Sequence, residues 1–310
     1  MRKIKTAFIY PGQGAQKAGM GADFYEKNAS AREIFDRAGE TLQMDMKALC
    51  FEKNDRLDLT EYTQAAMVTV CLAMTKAASE AGLTPDVTAG LSLGEYAAIA
   101  AAGGMDDMDA IRLVRKRGIL MQNTVPAGEG AMCAVMAMDA AKIEEVLEDF
   151  EDVTIANYNC PGQIVITGGK SGVEAAAAKL KEAGARRTLM LNVSGPFHSP
   201  MLKPAGEELA KELEHTKLHP LSIPYVTNVT ARKVEDIAET KDLLVRQVSA
   251  PVRWMQSMEA MIADGVEQFV EIGPGKTLAG FMKKINPKYK VCNISVWEDI
   301  EKAVAVLKGE

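Results

Sequence analysis

Hydrophobic positions along the chain follow two alternating periodicities. Short apolar runs bounded by turn residues, the mark of buried strands, are interleaved with longer stretches whose apolar residues recur every three or four positions, the mark of helices. Residues 5–10 read as a first strand that ends in Pro11-Gly12-Gln13-Gly14. Residues 64–81 predict a helix closed by Gly82 and Pro85, and 87–90 a short buried strand that turns at once into an Ala-rich helix over 95–102. The next helix runs to about Asn123, with Asp107 or Asp109 available as its cap. Alternation of this kind predicts an α/β fold.

Between Gly130 and Asn192 the order changes. The segments read as strand 131–138, helix 140–150, strands 153–157 and 163–167, helix 173–183 and strand 186–191. This is β-α-β-β-α-β, the order of a ferredoxin-like unit. We therefore expect an inserted ferredoxin-like α+β small domain over 129–197 and a large α/β domain built from 1–128 and 198–310. The large domain continues with a helix from Met201 to about His215, a strand near 225–228, helices from Asp242 and Trp254, a strand over 266–272, and terminal α and β elements. Its outer pieces should share one parallel sheet, and the seam with the small domain is where a substrate could sit.

Composition narrows the function. With 310 residues, 47% hydrophobic and 25% charged, the chain can bury one large core or two modest ones, which excludes disorder and fibres. A formal net charge of −6 argues against a surface that neutralises phosphate backbones, so nucleic acid is not an expected partner. The longest uncharged stretch, 153–169, contains two Asn, a Pro and a Gln and cannot be a membrane helix. Arg2 and Lys3 precede an apolar run of only Ala7 to Tyr10, too short for the core of a signal peptide, and we expect a cytoplasmic protein. Five cysteines, odd in number and without C-x-x-C spacing, point to reduced thiols rather than disulfides or a metal site.

Gly90-Leu91-Ser92-Leu93-Gly94 matches G-x-S-x-G between a predicted strand and a predicted helix. In that context the glycines allow a turn sharp enough to present Ser92 as a nucleophile at a helix N-terminus, where backbone N–H groups can hold an oxyanion. The alternative is a tight turn whose Ser92 caps the helix in a capping box with Glu95. A serine nucleophile needs a base, and the chain has three histidines. His215 and His219 fall at the end of a helix, where a cation suits the dipole. His198 lies instead in a loop bent by Gly195, Pro196 and Pro200, just after the small domain. Alone it could be merely structural; paired with an elbow serine it is the candidate base. No acid stands clearly at a strand end between the two, so a Ser-His dyad with a backbone carbonyl behind the imidazole fits better than a triad, which weighs against a plain esterase.

On the helix ending near Asn123, Arg117 has Leu113, Val114, Leu120 and Met121 at three and four residues, whereas Arg112, Arg115 and Lys116 lie on other faces. A guanidinium on an apolar stripe needs an anion, either a carboxylate of the fold or one brought by the substrate. Two glycine-rich turns, 12–17 and 273–277, lack the full spacing of nucleotide-binding loops. Each could hold a backbone N–H against an oxyanion, or be a turn that only requires positive φ.

Pro-Gly-Gln-Gly at 11–14, Gly-Leu-Ser-Leu-Gly-Glu at 90–95, Arg117-Gly118, Asn-Cys-Pro-Gly-Gln at 159–163, Gly-Pro-Phe-His at 195–198 and Glu-Ile-Gly-Pro-Gly at 271–275 together resemble the malonyl-CoA:acyl carrier protein transacylase family over nearly the whole chain. The resemblance implies a hydrolase-like α/β large domain with a ferredoxin-like small one. It implies ping-pong transfer of malonyl from malonyl-CoA, through Ser92, to the phosphopantetheine thiol of acyl carrier protein, with His198 as base and then acid and with no metal or cofactor. By the family pattern the N–H groups of Gln13 and Leu93 form the oxyanion hole, Arg117 pairs with the malonyl carboxylate, and the Gln247 carbonyl orients His198. Phe197 matches the position at which related polyketide acyltransferase domains that prefer malonyl carry Phe and those that take methylmalonyl carry Ser. Leu91 departs from the family's usual His, and no role is carried over to it. A thioesterase would use the same dyad, and a carrier-protein docking module would leave Ser92 unacylated.

Overall fold

The computed structural model describes residues 4–308; Arg2 and Lys3, weighed above for a signal peptide, lie outside them. The first strand, β1 (Lys5–Tyr10), is buried from Thr6 onward. Phe8 and Tyr10 enter one hydrophobic cluster while Ala7 and Ile9 enter another, so the strand faces core on both sides. A parallel strand covered on both faces needs apolar residues at every position, which explains the unbroken Ala-Phe-Ile-Tyr run.

Three helices follow that the sequence pattern above does not single out, α1 (Ala22–Lys27), α2 (Ala29–Leu42) and α3 (Met46–Phe51). Helix α4 (Thr60–Glu80) begins four residues before the predicted start, because Thr60 and Thr63 are polar yet buried, and the Thr63 hydroxyl donates to the Leu57 carbonyl at 2.6 Å. Then come β2 (Val87–Gly90), α5 (Gly94–Ala101) and α6 (Asp107–Asn123). Neither Asp107 nor Asp109 caps α6: Asp106 holds the cap position without a side-chain bond. Asp107 instead pairs with Lys76 and Asp109 with Arg112, each at 2.8 Å, while both carboxylates sit in the first turn where the helix dipole favours them.

The middle of the chain forms β3 (Gly130–Met136), α7 (Ala140–Leu147), β4 (Val153–Cys160), β5 (Gln163–Gly169), α8 (Lys170–Glu182) and β6 (Arg187–Met190). Their strands make a separate antiparallel sheet in the order β4-β5-β3-β6, with its own cluster around Val135, Ile155, Ile166 and Leu180. Beyond it lie α9 (Lys203–Glu214), β7 (Tyr225–Val226), β8 (Lys233–Val234), α10 (Thr240–Gln247), α11 (Trp254–Ala263), β9 (Val266–Ile272), α12 (Thr277–Ile285), β10 (Val291–Ile294) and α13 (Asp299–Lys308). The large sheet runs β10-β9-β1-β2-β7-β8. All its pairings are parallel except β7 with β8, so the expected parallel sheet carries one antiparallel edge strand that the two-residue runs were too short to signal. Strand β2 lies beside β1 near the centre, and its C-terminal end opens toward the seam between the two sheets.

Candidate active site

The turn from β2 into α5 explains its glycines by contact. A Cβ on Gly90 would fall 1.9 Å from the carbonyl carbon of Gly94, and one on Gly94 would fall 2.5 Å from the Tyr10 carbonyl oxygen. Ser92 between them sits at φ +53°, a left-handed conformation that a non-glycine residue adopts only when its surroundings impose it. The constraint is visible: the Ser92 N–H donates to Asn228 Oδ1 at 2.7 Å, and Asn228 Nδ2 donates to the Gly90 carbonyl at 2.7 Å. The capping-box alternative is not what forms. Helix α5 has no side-chain cap, and the Glu95 carboxylate accepts from the Asn228 N–H at 3.1 Å and from Gln247 Nε2 at 2.7 Å.

Released from capping, Ser92 Oγ lies 2.8 Å from His198 Nε2. His198 is also at positive φ, +59°, and is buried. Its Nδ1 is 2.9 Å from the backbone carbonyl of Gln247, the last residue of α10. A carbonyl can only accept, so Nδ1 carries the proton and Nε2 presents its lone pair to the serine hydroxyl. Burial, reinforced by the Arg117 charge, holds the imidazole pKa down at about 3, so the ring is neutral. His215 is the C-cap residue of α9, as anticipated, whereas His219 lies beyond the helix end with its ring 3.5 Å from the Asp106 carboxylate, so the helix terminus is not its setting.

Arg117 is 1% exposed, on the buried stripe of α6. Its Nη1 donates to Gln64 Oε1 at 2.6 Å, and its Nη2 donates to Gln247 Oε1 and to Ser92 Oγ, each at 3.1 Å. The guanidinium also lies over the Tyr96 ring, 5.8 Å from its centroid. Among the described residues it forms no ion pair, whereas its neighbours do: Arg112 with Asp109, Arg115 with Glu61, Lys116 with Glu212. The fixed-carboxylate alternative therefore fails at the level of direct contact. Gln64 and Gln247 present amide oxygens, which satisfy the N–H groups without supplying charge.

Ser92, His198 and Gln64 open onto a cleft of about 810 Å³ between the two sheets, with Arg117 buried behind Ser92 and Gln64. Gln13 and Leu93 line it beside Ser92 and His198, as do Leu91 and the nearly buried Phe197. The first glycine-rich turn contributes Gly12 and Gly14 to the wall. Of the second, Thr277 lines the wall, while Gly273 and Gly275 are at positive φ and a Cβ on Gly273 would fall 2.7 Å from Pro11, so its glycines serve packing. Gln64, Asn228 and the inward-turned Glu95 belong to the site but were not apparent from motifs; only Glu95 carried a sequence signal, as the residue that closes the Gly-Leu-Ser-Leu-Gly-Glu run. Among the described residues no group of three or more His, Cys, Asp or Glu is placed to hold a metal, and no helix is long and apolar enough to cross a membrane.

The family model for the acyl transferase domain matches residues 7–296. The chain belongs to the acyl transferase family. It is 45% identical over 311 aligned residues to a malonyl CoA-acyl carrier protein transacylase of Bacillus subtilis, covering 99% of this chain and 98% of that one. A malonyl CoA-acyl carrier protein transacylase of Clostridium perfringens is similar in structure, with a TM-score of 0.94, 40% identity and 98% of both chains covered. A malonyl-transacylase solved in complex with a type II PKS acyl-carrier protein has a TM-score of 0.94, 36% identity, and coverage of 99% of this chain and 100% of that one. The agreement over nearly full length extends to both sheets, the α/β layer and the smaller antiparallel one.

Proposed function

We propose that the chain transfers malonyl from malonyl-CoA to the phosphopantetheine thiol of acyl carrier protein through a malonyl-serine ester. His198 Nε2 takes the Ser92 proton as Oγ attacks the thioester carbonyl, and the Nδ1–H bond to the Gln247 carbonyl steadies the imidazolium. The backbone N–H groups of Gln13 and Leu93 hold the oxyanion. The same proton then leaves on the CoA sulfur. Acyl carrier protein enters the emptied cleft, and the sequence runs in reverse onto its thiol.

The observation that carries this reading is Arg117, a buried guanidinium without an ion pair among the described residues, 3.1 Å from the serine oxygen. Malonyl has a free carboxylate two bonds from its thioester carbon, so a bidentate pair with Arg117 would seat that carbon beside Ser92 Oγ. Rotation of the guanidinium from its amide partners to the substrate exchanges neutral acceptors for a charged one. The reaction needs no metal or cofactor. We assign 129–197 as the inserted small domain and the remainder as the catalytic domain. A cytoplasmic location is in keeping with five free thiols, all wholly or partly buried.

Mixing the protein with malonyl-CoA and weighing it intact tests the reading. One malonyl increment per chain is expected, and none in Ser92→Ala. An increment that survives the substitution, or maps to a cysteine, overturns the mechanism. A thioesterase with the same dyad would pass the ester to water as fast as to a carrier thiol; the Arg117 arrangement supports transfer.

A further inference from the structure

Glu95 is a carboxylate with no exposed surface, and the steps above do not use it. Oε2 accepts from the Asn228 N–H at 3.1 Å and from Gln247 Nε2 at 2.7 Å, and the Thr227 hydroxyl approaches the carboxylate, while Oε1 is buried without a hydrogen bond of normal geometry. The Gln247 amide continues the chain, because its Oε1 accepts from Arg117 Nη2 at 3.1 Å. One amide therefore stands between a buried carboxylate and a buried guanidinium, and the two charges are linked without touching.

We propose that Glu95 is the resting counter-charge of Arg117, acting through the Gln247 amide, and that it takes up a proton when the malonyl carboxylate arrives. This rests on the malonyl-transfer reading. In the empty site one positive charge faces one negative charge. The malonyl-serine ester adds a second negative charge beside Arg117, and a dry pocket holds two anions on one cation only at high cost. The anion with an oxygen short of a hydrogen bond of normal geometry is the one that protonates. Burial has already pushed the Glu95 pKa up to about 7, and a second anion in the same dry pocket raises it well beyond, so that a carboxylate mostly ionised at pH 8 becomes mostly protonated.

The groups facing Glu95 do not offer another titration. Arg117 comes from α6, Tyr96 from its own helix and Tyr225 from β7, the two phenols being raised well above neutrality by burial. His198, across Ser92, is held neutral, and Asn228, Thr227 and Gln247 carry no charge. Acylation itself releases nothing to solvent, since the serine proton leaves on the CoA thiol. A proton taken from solvent is then Glu95's.

The test is a weakly buffered indicator assay near pH 8, with the adduct weighed in the same sample. The wild-type protein should take up a large fraction of one proton per malonyl-serine formed. Glu95→Gln, which keeps the shape and removes the charge, should form the adduct with no uptake. Without any variant, the equilibrium yield of malonyl-enzyme against free CoA should rise severalfold from pH 8 to pH 7. Adduct with no uptake in the wild type, or equal uptake in Glu95→Gln, overturns the proposal. A flat yield between pH 7 and pH 8 overturns it even if Glu95→Gln does not fold. Absence of any adduct overturns instead the malonyl-transfer reading on which it stands.

Discussion

Ser92 and His198 are both held at positive φ, +53° and +59°, and their side chains meet at 2.8 Å although 106 positions separate them. Each conformation costs on the order of 1 kcal/mol or more for a residue with a side chain. Both are stabilised from outside their own segments, Ser92 by Asn228 and His198 by the end of α10. The hydroxyl and the imidazole are thus aligned before any substrate arrives, which would reduce the ordering left to the proposed reaction.

Gly90→Ala should break this alignment. The new Cβ would meet backbone rather than a yielding side chain, and we expect a loss of ~3 kcal/mol or more. Gly14→Ala, at φ +102° with open space around it, should cost only ~1 kcal/mol of backbone strain. Thermal unfolding compares the two, and similar losses would show that the elbow is not sterically fixed.

His198→Ala should slow formation of the malonyl ester by ~10² to 10⁴ with the fold intact. The pKa of about 3 also predicts that this group does not cause a fall in wild-type acylation between pH 8 and pH 5. For stability the sign is set by which state binds the proton. Below about 6.5 the unfolded imidazole is protonated while the native one is not, so the His198 contribution is full above that pH and is lost as pH falls toward 3. The melting-temperature gap between wild type and His198→Ala should move accordingly; a constant gap from pH 7 to pH 4 contradicts the assignment.

Arg117→Ala should depress malonyl transfer by ~2 to 4 kcal/mol in kcat/KM, tens to several hundredfold, and leave acetyl transfer unchanged or improved. Equal loss on malonyl-CoA and acetyl-CoA, with a lowered melting temperature, would mean that the guanidinium supports the fold rather than the substrate.

Phe197→Ser should raise the methylmalonyl to malonyl ratio of kcat/KM. The ring is nearly buried and lines the cleft beside His198, where it can exclude a methyl branch. Shape alone discriminates one methyl group by ~1 to 3 kcal/mol, so the change should be tens to a couple of hundredfold. A ratio within twofold of the parent assigns Phe197 to packing.

Residues that announce themselves in the sequence do so through spacing or through a clash of type and position. Gly90, Ser92 and Gly94 form a pattern with a steric cause, and Arg117 stands out as a charge on an apolar stripe. Asn228 and Gln64 give no such sign, because a buried amide is indistinguishable from an exposed one until its partners are known. The same limit applies to the fold. The β-α-β-β-α-β run was legible because its strands pair within about sixty residues, whereas β1 lies between β2 and β9, a contact spanning more than 250 positions that no local pattern encodes. Helices α1 and α3 span only six residues each, too few for a period to repeat, whereas α2 has fourteen and carries a readable stripe at Ala31, Ile34, Phe35 and Ala38.

The imidazole's partner at the end of α10 is a peptide oxygen, which every amino acid possesses. No single codon change at position 247 deletes it. In an enzyme that uses an aspartate there, one substitution disables the base; here the vulnerability is transferred from the identity of a side chain to the position of a helix end. Inactivating changes at this point of the chain should therefore be sought among those that shift α10, a proline within it or a cavity beneath Leu243 and Leu244, rather than at Gln247 alone.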